Sequence, residues 1–167
     1  MFDMFGEFDS AEEINLAAAG QREQGDKEAL LKLAEENGID KEDAEDYMDG
    51  LMDELANPLM AAYGKLAVEE KNIQPYEILQ DWLNYIRIQC AENEAMARAV
   101  RKKGKNLKGC MGALLKWSFK NAKPVDADIL KAAGVSASKV TLGIPGIGTA
   151  KKIIREYYME EISNEKG

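Results

Sequence analysis

The chain has 167 residues, of which 46% are apolar and 31% charged, with a net charge of −8 and no histidine. These proportions suit a globular chain long enough to bury a core, not a disordered tail. Without histidine there is no Ser-His-Asp or Cys-His nucleophile, no His-ligated zinc and no HExxH site. Nor does an acidic pair followed by a positioned lysine point to a carboxylate-and-metal nuclease, so the chain reads as non-enzymatic, without metal or cofactor. Charge is split along the sequence. Residues 1–81 hold 22 Asp/Glu and 6 Lys/Arg, a balance of −16, whereas residues 82–167 hold 8 and 16, a balance of +8. An acidic part joined to a basic part points to a charged partner or to folding against itself. No apolar run approaches the roughly 20 residues that span a bilayer. The short acidic start Met1-Phe2-Asp3-Met4-Phe5 argues against a secretory signal, so a cytoplasmic location without membrane association is expected. Cys90 and Cys110 each fall inside an apolar helical pattern and read as reduced core residues, a disulfide or redox pair being the alternative.

Helix signals dominate from the start. Ser10-Ala11-Glu12-Glu13 is a capping box. Asp26 precedes a helix over Lys27–Glu36 with an apolar stripe of Leu30, Leu31, Leu33 and Ala34, and Asn37-Gly38 ends it. Asp40 caps the next helix, with Ile39 placed to staple onto Ala44. Asn57-Pro58 starts another that runs to about Lys71. Pro75 opens a longer helix, in which Leu79, Trp82, Leu83, Ile86 and Cys90 fall at i, i+3, i+4, i+7 and i+11. Asn93 caps Glu94–Lys103 and Asn106 caps Leu107–Asn121. That last helix is apolar over a broad arc (Leu107, Cys110, Met111, Leu114, Leu115, Trp117, Phe119), which predicts a place at the centre of the fold. Asp126 caps a short helix to Ala133, stopped by Gly134. Lys139-Val140-Thr141-Leu142 is the only strand signal. A final helix over residues 148–162 puts Ala150, Ile153, Ile154, Tyr157 and Tyr158 on one side and Lys151, Lys152 and Arg155 on the other. The expected fold is mostly α: a single-domain bundle of about eight short helices over residues 1–167, with at most one short strand or hairpin near 139–142. Its acidic part is 1–72 and its basic part 73–167, with any seam near Asn72–Gln74.

Three constellations stand out. The first is the acidic stretch Glu35–Glu54. With Gly50 as the sixth residue of an EF-hand loop, the third and twelfth would be Tyr47 and Ala56, where oxygen ligands are required, so calcium is rejected. What remains is a solvated acidic face or a phosphate-like surface that occupies a basic groove, with Glu42, Asp46, Asp49 and Asp53 as its partner-binding residues. The second is the basic run Arg98, Arg101, Lys102, Lys103, Lys105 and Lys108. It either offsets helix dipoles and pairs with the acidic half, or contacts phosphate or an acidic partner, as Lys151, Lys152 and Arg155 would. The third, Gly143-Ile144-Pro145-Gly146-Ile147-Gly148 followed by Thr149-Ala150-Lys151-Lys152, looks like a helix-hairpin-helix phosphate turn. Lys152 stands where that element has a small packing residue, and a plain glycine-rich turn into a helix is the alternative.

The segment Gly104-Lys105-Asn106-Leu107-Lys108-Gly109-Cys110, with Ala113-Leu114-Leu115 after it, resembles the PcfK-like family of mobile-element proteins. That family carries a Lys-x-Leu/Ile-x-x-Cys lead-in to an apolar helix, preceded by basic residues and an acidic helical N-terminal region. Its members finish on a His-Tyr-containing acidic helix, whereas Ile153–Tyr158 is basic-flanked and lacks the histidine. The resemblance implies conjugative transfer, or, as in some members, anti-CRISPR inhibition of a type II RNA-guided DNA nuclease. The expectation is a non-enzymatic, stoichiometric inhibitor or adaptor from a phage or other mobile element, its partner that nuclease or its guide RNA complex. The alternative is a nucleic-acid-binding accessory protein of conjugative DNA transfer.

Overall fold

The cap residues of the sequence mark where its helices begin. In the computed structural model, which describes residues 4–160, Ser10 Oγ accepts the Glu13 N–H at 3.2 Å and opens α1, Ala11–Glu23. The return arm of the capping box lands one residue early, since Glu13 accepts the N–H of Asp9 at 2.7 Å. Asp26 caps α2, Lys27–Glu36, through the Ala29 N–H. Asp40 precedes α3, Lys41–Met48, without a side-chain cap bond. Asn57 caps α4, Pro58–Ile73, through the Met60 N–H at 2.8 Å. After it come α5, Ile78–Glu92, and α6, Glu94–Arg101, the latter capped by Asn93. The chain then forms α7, Leu107–Asn121, β1, Lys123–Pro124, α8, Ala127–Ala132, β2, Thr141–Leu142, and α9, Ile147–Met159. The part of the predicted last helix beyond residue 160 lies outside the described residues. Nine helices and one antiparallel hairpin, Lys123 opposite Leu142 and Pro124 opposite Thr141, make the chain mostly α among the described residues.

The chain divides into two compact units, Met1–Lys108 and Gly109–Gly167. The division falls in the first turn of α7 and not at Asn72–Gln74, where the charge changes sign. That earlier point is only a turn between two packed helices. Across it, Tyr63 Oη donates to the Arg87 carbonyl at 3.0 Å and Glu70 pairs with Arg87. The turn also moves the start of α5 three residues past Pro75, because Gln74 and Glu77 have φ of 50° and 49°. Glu77 in that conformation cannot continue a helix.

In the first unit, Ile14 and Ala18 of α1, Leu30 and Leu33 of α2 and Ala44 and Tyr47 of α3 form the core with Leu55 and Ala61. α4 packs on α6 and α5 along its other sides. The end of α2 is fixed by a Schellman motif: the Gly38 N–H donates to Glu35 O and the Ile39 N–H to Ala34 O, with Gly38 at φ 66°. Gly38 also meets Gly64 of α4 backbone to backbone. A Cβ on Gly64 would run into the carbonyl of Asn37, and one on Gly38 into the carbonyl of Gly64.

In the second unit, Cys110 and Leu114 of α7 and Ala150, Ile154 and Tyr158 of α9 are buried. Gly109 leaves room for the Tyr157 hydroxyl, and Gly143 sits against Ser118 and Ala122. The broad apolar arc expected of α7 is buried only in part, with Leu114 at its centre fully enclosed. Its buried stripe is Leu107, Cys110 and Leu114 alone, while Leu115 and Phe119 are exposed to solvent. Both cysteines are buried free thiols, and burial pushes the Cys90 thiol up to about 12.

Gly64→Ala should cost at least about 1–3 kcal/mol, the range for overpacking, because the added methyl meets backbone that cannot turn away. Gly20→Ala, inside α1 with open space at its Cβ, should instead stabilise by about 0.5–1 kcal/mol. Urea midpoints of the two variants check both signs.

Candidate functional site

The acidic and basic residues singled out by sequence differ in how much of their charge the fold consumes. Glu42 and Asp46 lie one turn apart on α3 and Asp49 is its C-cap, so the three share a face at i, i+4 and i+7. Gly50, at φ 79°, then turns the chain, and Asp53 stands in the following loop and not on the helix. Glu42, Asp49 and Asp53 are exposed and Asp46 half-buried. None of these four, nor Asp43 beside them, has an ion-pair partner among the described residues, Glu45 alone meeting Lys41 at 3.8 Å. A groove of about 910 Å³ follows α2 and α4, lined by Leu31, Ile39, Ala67 and Val68 together with carboxylates such as Glu28 and Glu35 and the cations Lys32, Lys41 and Lys71.

Two members of the basic run, Arg98 and Arg101, are satisfied from within. Arg101 is 1% exposed and structural. Its guanidinium donates to Phe8 O at 3.2 Å, Ala61 O at 3.4 Å and Asn37 Oδ1 at 2.8 Å, and burial lowers its pKa to about 10. Its assignment to a ligand-facing patch is therefore corrected: an α6 position whose side chain faces α4 cannot reach a partner. Arg98 pairs with Glu12 at 2.8 Å and Glu94 at 3.8 Å. The hydrogen bond from Arg98 holds the Glu12 carboxyl below its ordinary value. Asp9 accepts the Lys103 N–H at 2.9 Å. The acidic segment Glu7–Glu12 thus lies along the basic run, and a cavity of about 190 Å³ there is lined by Asp9 as well as by Arg98 and Lys102. An anion entering it would meet a resident carboxylate. Lys102, Lys103 and Lys108 keep exposed side chains, while Lys105 is half-buried.

Two α4 residues missed by sequence reasoning organise that loop. Lys65, 1% exposed, donates to the carbonyls of Arg101 at 3.5 Å, Lys102 at 3.0 Å and Lys105, and pairs with Glu7 at 3.1 Å. One turn on, Glu69 accepts the Leu107 N–H. One side chain closes the C-terminal carbonyls of α6 and the other an N–H at the start of α7. Read as a sequence, Lys65 and Glu69 are an i, i+4 pair of the kind found on helix surfaces. The available signal was their setting, with Lys65 between Ala61-Ala62 and Leu66 on the apolar side. Burial lowers the pKa of Lys65 and raises that of Glu69, whose second oxygen has no hydrogen-bond partner among the described residues.

In the second unit, α9 exposes Lys151, Lys152 and Arg155 opposite its buried Ala150 and Ile154, as the periodicity predicts. Gly146 is the N-cap of α9, without a side-chain cap bond. The preceding connection is β2 and not a helix, so the helix-hairpin-helix arrangement is incomplete. Among the described residues no group of three or more Cys, Asp or Glu is placed to hold a metal ion, and no helix is long and apolar enough to cross a membrane. No family model matches the chain, and no curated protein or solved structure is similar to it.

Because the pKa of Glu69 is raised above its ordinary 4.5, the folded protein holds that proton to higher pH than the unfolded chain. The stability this contributes is complete below pH 4.5 and is lost as pH rises through the raised value. Glu69→Gln keeps an acceptor for the Leu107 N–H and removes the titration. Its urea midpoint relative to wild type should therefore rise between pH 4.5 and 7.5; an unchanged difference would show that Glu69 does not titrate in this range.

Proposed function

We propose that the protein is a non-enzymatic, stoichiometric inhibitor that works through the carboxylates of α3 and the loop after it. The observation that carries this reading is the contrast in pairing. Glu42, Asp46, Asp49 and Asp53 make no ion pair among the described residues, the nearby Arg22 guanidinium lying on the Tyr47 ring and donating to the carbonyls of Tyr47 and Met52, while Arg98 and Arg101 are engaged by the protein's own carboxylates, amide and carbonyls. Unneutralised like charge costs stability by self-repulsion, and a cationic partner relieves it. The first unit carries 24 Asp/Glu and 13 Lys/Arg, a balance of −11, so its own cations cannot do so.

The partner follows from the resemblance of residues 104–115 to PcfK-like proteins: a type II RNA-guided nuclease in the cytoplasm of a cell that hosts a mobile element. Such nucleases hold nucleic acid in positively charged channels. Glu42, Asp46 and Asp49 span about 10 Å at the 1.5 Å rise of a helix, a row of anions that competes for such a channel as a backbone does.

Glu42, Asp46, Asp49 and Asp53 changed together to Lys should abolish inhibition in a cleavage assay titrated with the protein, with helicity by circular dichroism retained. Lys102, Lys103 and Lys108 changed to Glu should reduce it far less. The opposite ranking would make the basic loop the working surface, and wild-type protein without effect at several-fold excess would remove this nuclease as the target.

A further inference from the structure

The second unit has a surface that the reading above does not use. From Ala95 to Val125 the chain runs 31 residues without one Asp or Glu, while carrying nine Lys/Arg, in a protein with 30 acidic residues. The second half of that run is α7 and β1. On α7, Leu107, Cys110 and Leu114 are buried, which turns Leu115, Lys116, Phe119 and Lys120 outward. Lys116, Phe119 and Lys120 stand at i, i+3 and i+4 and are therefore neighbours on one stripe. Lys123 follows in β1. None of the three lysines has an ion pair among the described residues, and Phe119 is 81% and Leu115 56% exposed. The second unit, about a third of the chain, also holds eight of the thirteen exposed large hydrophobics among the described residues. Leu142 and Ile144 are among them, on either side of the Gly143 that rests on Ser118 and Ala122. An open apolar surface edged by Lys116, Lys120 and Lys123, on a run of chain without Asp or Glu, suits a partner that brings negative charge and flat apolar faces together.

We infer that the outward stripe of α7, Lys116-Phe119-Lys120 with Lys123, binds single-stranded nucleic acid, the lysines meeting phosphates and Phe119 stacking on a base. Single strands combine a polyanionic backbone with exposed π-faces, and an aromatic between cations is the surface that binds them without regard to sequence. A duplex would satisfy the lysines but keep its bases stacked inside, leaving Phe119 idle. The inference is independent of the acidic surface on α3, which belongs to the other unit.

The test is fluorescence anisotropy of the full chain with a labelled oligothymidylate of about 15 nucleotides, starting near 50 mM salt, where backbone contacts are strongest. Wild type should bind, with affinity falling as salt rises. Phe119→Ala should weaken binding about 5- to 150-fold, and Phe119→Tyr, which keeps the ring, should restore it. Lys116→Gln with Lys120→Gln should flatten the slope of log affinity against log salt by about 1.4, two contacts at 0.7 each. Phe119 and both lysines are exposed, so these variants leave the core untouched. No binding at low salt, as expected if an acidic protein is the partner of this face, overturns the inference. So does a Phe119→Ala protein that binds as tightly as wild type.

Discussion

Lys65 and Glu69 set the geometry of the charged loop. They project from one side of α4, one turn apart, and hold both ends of the interruption between α6 and α7: an ammonium among three carbonyls, then a carboxylate on an amide. Burying charge is expensive, and such groups are tolerated only where hydrogen bonds and opposite charge replace water. Here Glu7 faces Lys65, and Arg101 is enclosed by Phe8 O, Ala61 O and Asn37. The N-terminal segment is therefore part of the polar core. Glu36 holds it from the other side by accepting the N–H groups of Met4 at 2.7 Å and Phe5 at 3.2 Å. Removing any member leaves the rest as buried, unpaired polar atoms, which is costlier than never having built the network.

That network also sorts the surfaces. In the first unit Arg101 and Lys65 are drawn inward, Lys65 onto Glu7, and Arg98 pairs with Glu12, whereas Glu42, Asp46 and Asp49 at α3 make no ion pair among the described residues. The second unit, with 9 Lys/Arg and 6 Asp/Glu, has the opposite sign and displays lysines with exposed apolar side chains. The charge asymmetry visible along the chain thus becomes two surfaces of different chemistry, one hydrophilic and anionic, the other cationic and greasy.

Much of the fold was legible because helix punctuation is local. The caps at Ser10, Asp26, Asn57, Asn93 and Asp126 and the stop at Gly38 depend on a few adjacent atoms, and each stands where the residue types place it. What failed was non-local. Nothing near Pro75 announces that Gln74 takes a left-handed conformation and Glu77 a positive φ. The width of the α7 apolar arc could not distinguish residues facing a core from Leu115 and Phe119 facing solvent. At the candidate sites, the exposure of Glu42, Asp49 and Asp53 was legible because it follows from a local run of charge on α3 and the loop after it. Arg101 was misread because its three acceptors come from Phe8, Asn37 and Ala61, between 40 and 93 residues away in sequence.

The crossing of Gly38 and Gly64 makes two distant positions into one heritable unit. With the α2 terminus and α4 separated there by only their backbones, a side chain can be gained at neither position unless the helices part, and parting them would pull Asn37 off Arg101. Drift elsewhere in the chain is free to erase the capping residues and the charge pattern one substitution at a time. This pair can only be lost together with the polar core. A relative diverged beyond ordinary sequence similarity would still carry glycine at both places, 26 residues apart, with a buried cation one residue after the second.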